Sequence, residues 1–200
     1  GSLGVLIYFI HHVAVSIQAD EVIARVGAEL IETIDDQSAR VDDDRLPPRA
    51  APVDVSRLPA EFDRDARPVP AARDGYVQIV DLDALVNLAA QEDVILRLER
   101  RPGQYAIRGL PLATMAPGDR LSDQLAAKIN AAIVLGSRRT PTQDIEFAVH
   151  QLVEIAVRAL SPGINDPFTA IACIDRLGSG LSHLARRELP EHAAALREHA

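Results

Sequence analysis

Glu146, His150 and Glu154 recur at four-residue intervals in DIEFAVHQLVEIAVRAL, and on a helix that spacing stacks them along one face. Two carboxylates and an imidazole so placed can converge on a divalent cation or share a proton. Arg158 continues the row, and alternating acid and base is also how a solvated, ion-paired helix surface reads. No HExxH motif occurs and no second histidine stands near His150, so the ion-paired face is preferred and no metal is assigned.

Two other groups carry polar chemistry. Arg97, Arg100 and Arg101 flank an RRPG turn with Arg108 further on, a set that could hold an anion. Glu99 interrupts it and no glycine-rich loop precedes a helix there, so a charged hairpin edge is the preferred reading. In SPGINDP, Ser161, Asn165 and Asp166 could meet a ligand at a helix end. Capping by Asp166 ahead of Pro167 explains the same residues. Asp42, Asp43 and Asp44 lack the alternation, central glycine and distal glutamate of a calcium loop and read as a solvated acidic run. Cys173 lies in AIACI and is expected to be a small core residue. No catalytic residue and no cofactor follow from these patterns.

Composition narrows the partners. Twenty-nine acidic against 21 basic side chains give a net charge of −8, which opposes a phosphate backbone, so nucleic-acid binding is not expected. Aromatics are 4% of the chain and Trp is absent, so the cores must be aliphatic.

The elements that would position these residues are α+β: a long N-terminal helix, a small barrel-sandwich-like β subdomain and a C-terminal helical bundle. Leu3 to Val15 is apolar except for His11 and His12, too short to span about 30 Å of hydrocarbon but suited to the end of a longer spanning helix. Tyr8, His11 and His12 would then lie near the headgroups. Val13, Ile17, Ile23, Val26, Leu30 and Ile34 carry a helical period onward as a stalk to about residue 36. The regions expected are 1–40 (end of a membrane helix plus stalk), 41–73 (a Pro/Asp-rich linker), 74–118 (the β subdomain) and 119–200 (the helical subdomain).

Within these, YVQIV, VILRL, GQYAIRG and PLATM read as strands around a short helix that Asp81 or Asp83 could cap. Asp119 is expected to cap a helix running through Leu121, Leu125, Ile129 and Ile133 to Gly136. Thr140, Pro141 and Gln143 have the form of a capping box for the next helix, with Ile145, Ala148, Val149, Leu152, Ile155, Ala156, Ala159 and Leu160 on its apolar arc. The last helix, about Phe168 to Arg187, carries Ile171, Ile174, Leu177, Leu181 and Leu184, followed by an Ala-rich tail from Pro190.

The segments YFIHHVAVSIQ, GYVQIVDLDAL, ILRLERRPGQYAIRG and RRTPTQDIEFAVHQLVEIAVRALSPGINDPFTAIACIDRL together resemble the bacterial predicted membrane proteins of domain-of-unknown-function family 2254. The resemblance implies several transmembrane helices ahead of this region and supplies no catalytic residues. The leading expectation is a regulatory, scaffolding or assembly domain of an integral membrane protein, associating with itself or contacting a partner along Ala24 to Ile34 and the helix bearing Phe147. The alternatives are a ligand-sensing or gating domain of a transporter or channel, and a metal-dependent hydrolase centred on Glu146, His150 and Glu154. A homo-oligomer anchored in the cell membrane by upstream helices, with its soluble part in the cytoplasm, is the expected setting; the arginines after the span (Arg25, Arg40, Arg45, Arg49) favour that side.

Overall fold

A computed structural model describes residues 2–42, 58–59, 61–186 and 195–196. The acidic run beyond Asp42, most of the linker and the alanine-rich tail lie outside the described residues, as do the side chains of Tyr8, His11 and His12. The chain forms two compact units, 1–35 with 145–187 and 36–144 with 188–200. This division does not follow the stretches drawn from sequence, because packing partners rather than chain order define it.

In the first unit, α1 (Ser2–Asp42) packs with α5 (Ile145–Ala159) and α6 (Pro167–Leu184). Ile23, Val26, Leu30 and Ile34 are buried against Ala148, Leu152 and Cys173. The apolar stripe of α1 expected to self-associate is thus covered by the chain's own helices. Gly27 and Gly180 allow this close approach: Gly27 lies against the Arg176 side chain, and a Cβ on Gly180 would overlap the Leu30 side chain.

The second unit is the sheet unit. One sheet has the order β1-β5-β3-β7, formed by Arg67–Pro70, Pro111–Ala116, Ile95–Leu98 and Ala195–Leu196; the other has the order β4-β2-β6, formed by Tyr105–Ala106, Gly75–Val80 and Ile133–Gly136. All pairings are antiparallel. The expected barrel is corrected: the strands make two separate sheets and do not close. Both sheets feed one aliphatic core in which Val69, Leu96 and Leu112 meet Val77, Ile133 and Leu135. Leu85 and Leu88 of α3 (Leu82–Glu92) and Leu125 and Ile129 of α4 (Asp123–Ala131) complete it.

Several local expectations also change. The helix capped at Asp119 begins later, with Ser122 accepting from the Leu125 amide at 3.2 Å, while Asp119 sits in a 3-10 turn. It ends at Ala131 and IVLG becomes β6, with Ile133 and Leu135 inward and Val134 outward. Asn130 marks the stop, its side chain donating to the Pro70 carbonyl at 3.1 Å and accepting from the Ala72 amide at 2.9 Å. Ile133 continues the four-residue spacing of Leu125 and Ile129, so periodicity alone reads it as helix. The linker is structured at its end by α2 (Phe62–Asp65) and β1, where Pro68 and Pro70 are tolerated because β1 is an edge strand.

Candidate functional site

Glu146, His150 and Glu154 are all exposed on α5, and Glu154 pairs with Arg158 at 2.9 Å across one helical turn. Among the described residues no group of three or more His, Cys, Asp or Glu is placed to hold a metal ion.

The four arginines differ in their contacts. Arg97 on β3 reaches Asp63 at 2.8 Å and Glu99 at 2.9 Å, and its guanidinium lies 5.0 Å from the Phe62 ring centre. Burial, the largest single influence, works to lower the Arg97 pKa, but hydrogen bonds and charge attraction from Asp63 and Glu99 together hold it above its ordinary value. The Glu99 carboxylate is also claimed by the Thr114 hydroxyl at 2.5 Å, and Arg100 donates to the Glu99 carbonyl at 2.9 Å. Arg97 and Arg100 therefore meet at Glu99. The backbone amides of Arg101 and Arg108 donate to the Gln104 side chain at 3.1 Å and to the Asp74 carboxylate at 2.9 Å.

At the α5–α6 corner, the Ser161 carbonyl accepts the amides of Ile164 and Asn165 at 3.0 and 2.9 Å, and the Asp166 amide returns to the Ala159 carbonyl at 2.8 Å. Asn165 adopts the left-handed conformation, φ 49°, which asparagine tolerates well. Asp166 caps α6 through the Thr169 amide at 3.2 Å and hydroxyl at 2.6 Å. At this corner the backbone of Ser161 and Asn165 and the carboxylate of Asp166 serve to turn the chain and cap α6. Cys173 is buried, and burial pushes its thiol pKa up, which disfavours the nucleophilic thiolate.

Two features escape the sequence reading. Gln143 does not close a capping box: Thr140 makes no capping bond, and Pro141–Gln143 is a 3-10 turn. The Gln143 amide instead brackets Val80 of β2, accepting from its N–H at 2.8 Å and donating to its carbonyl at 3.3 Å, while the Gln143 carbonyl accepts from Gln37 at 3.0 Å. Next to it, Arg139 and the buried Asp144 carboxylate form a two-pronged pair at 2.8 and 2.9 Å. Gly103, at φ 86° in the RRPG turn, sits where any side chain would overlap Asp144.

The other feature is apolar. On α5 and the corner, Val153, Val157, Leu160 and Ile164 are exposed. On α6, Phe168, Ile171, Ile174 and Leu181 are exposed, Phe168 at 81% and Ile174 at 60%. Leu160 of the apolar arc and Ile171, Ile174 and Leu181 of the last helix thus face outward. Hydrophobic periodicity marks an apolar face but not which of two neighbouring stripes is covered. This surface can do one thing chemically, which is to give up its water to another apolar surface.

Among relatives, uncharacterized proteins of Mycobacterium bovis and Mycobacterium tuberculosis are each 34% identical over 199 residues, covering 95% of this chain and 36% of the relative. The chain therefore spans about a third of the length of the curated relatives it matches. No solved structure matches it. No helix among the described residues is long and apolar enough to cross a membrane. The family model described as "Predicted membrane protein (DUF2254)" matches residues 1–199, and the chain belongs to that family.

Proposed function

We propose that this chain is a non-enzymatic regulatory, scaffolding or assembly domain of an integral membrane protein. The observation that carries the reading is the exposed apolar surface of α5 and α6, larger than the isolated apolar side chains normal on a protein surface. Membership in a family of predicted membrane proteins supports it, as does the length of the relatives beyond the matched region. In this reading the apolar Leu3–Val15 stretch of α1 is the end of a membrane-spanning helix, and the rest of the helix is the stalk of a cytoplasmic domain. Ser161, Asn165 and Asp166 turn the chain, and Arg97, Arg100, Arg101 and Arg108 fix the hairpins around β3 and β4.

The test uses a full-length family member expressed in a mycobacterial host, with and without the region equivalent to residues 36–200. The full-length protein is expected in the carbonate-resistant membrane fraction. The deletion should leave that insertion intact but remove the assembled species on a native gel. Release by carbonate, or unchanged assembly after the deletion, overturns the proposal.

A further inference from the structure

We infer that the α5–α6 face is a self-association surface, covered in solution by a second copy of this chain. The inference rests on the assembly reading above and names its partner. Val153 and Val157 stand one turn apart on α5, with Leu160 and Ile164 exposed at the corner beyond its end, and on α6 Ile171, Ile174, Gly178 and Leu181 follow one another at alternating three- and four-residue steps. That is the spacing of a helix seam that interlocks with another helix, rather than of a broad face lying on lipid.

The α6 stripe is also self-complementary. Run antiparallel against itself, it places Ile171 of one copy opposite Leu181 of the other when Ile174 stands opposite Gly178, because both pairs are centred on the same point of the helix. Gly178 is exposed with no atom within 4 Å of where a Cβ would stand, so it leaves a hole for the facing isoleucine. Two-fold pairing of one patch with its own copy requires this kind of match.

Size and charge agree with that occupant. The exposed surface of the eight large apolar residues from Val153 to Leu181 is on the order of 800 Å², about what each partner contributes to a stable protein–protein interface. A bilayer fits less well. The exposed charges bordering the stripes are mixed, Glu154 paired with Arg158 and Asp175 beside Arg176, with no basic cluster among these described residues to draw anionic headgroups, and the chain's net charge of −8 repels anionic lipid.

Sedimentation equilibrium of the 200-residue chain tests this against the I171E/I174E variant, whose two positions are more than half exposed and not needed for the core. A dimer with a dissociation constant at or below about 10 µM is expected, weakened at least about 100-fold in the variant with its helical circular dichroism retained. Should that variant lose helical signal, Val157→Lys replaces it, with the same expectation. A chain monomeric to roughly 100 µM, or a dimer that neither variant weakens, overturns the inference. So does a monomer that floats with phosphatidylcholine–phosphatidylglycerol vesicles through this face, which assigns the surface to the membrane. None of these outcomes touches the carbonate and deletion results, on which the assembly reading stands or falls separately.

Discussion

Replacing Gln143 by leucine removes the oxygen and the NH2 of its side-chain amide. In the native chain those two groups hold the N–H and carbonyl of Val80, which is almost fully buried. Two buried backbone groups left without partners cost about 1 to 3 kcal/mol each, so Gln143→Leu should destabilise the sheet unit by about 3 kcal/mol. Urea unfolding read by the near-ultraviolet circular dichroism of tyrosine suits this unit, because Tyr76 and Tyr105 stack edge-to-face there at 4.9 Å.

Gln143→Glu sharpens the test. Its carboxylate can accept from Val80 N–H but repels the Val80 carbonyl; its protonated form can donate to that carbonyl as glutamine does. The folded chain therefore favours the protonated form, and the introduced carboxyl's pKa rises above its unfolded value of about 4.3. Stability relative to the native chain is retained below that unfolded value and lost as pH rises through the folded one. A loss under about 1 kcal/mol for Gln143→Leu, or a pH-independent deficit for Gln143→Glu, would refute the bracketing role.

Three further outcomes follow from the helical unit. Gly178→Ala should raise stability by about 1 kcal/mol, because its site is open and alanine is the better helix former; Gly180→Ala should lower it by about 1 to 2 kcal/mol, because overlap with Leu30 outweighs the same gain. Thermal melts at low protein concentration check both, and matching shifts would contradict the packing. Asp166→Ala should lose about 1 kcal/mol with its cap, and Asp166→Asn much less, in the same melts. Cys173 should react with Ellman's reagent at pH 8 at least about 100-fold more slowly in the native chain than in urea, and a fast native reaction would show that the thiol is not buried.

The elements written in local chemistry are legible in the amino-acid sequence alone. The strands GYVQIV, ILRL and PLATMA and the caps Asp81 and Asp166 stand where their residue types imply, but a register shift between Val77 and Ile79 breaks the two-residue alternation of GYVQIV, burying both Val77 and Val80 and leaving Ile79 outward. What stays hidden depends on partners distant in the chain. Ile133 belongs to a strand because Val80 lies beside it, and a helical spacing from Leu125 cannot reveal that. Gln143 has the offset of a capping residue, yet its partner stands 63 positions earlier. For α5 and α6 the apolar positions are visible, but periodicity does not show which of them α1 covers and which face outward.

The same limit applies to Pro68 and Pro70, which mark their segment as a linker until β5 is placed beside it. Ala71 turns its amide inward to the Leu110 carbonyl, so in β1 the alternation directs residues 68 and 70 outward, where proline has no hydrogen to offer. A strand arriving from another molecule would find neither of the outward positions of β1 able to donate, and the Pro70 carbonyl already taken by Asn130. The sheet is thereby guarded against growth on this side.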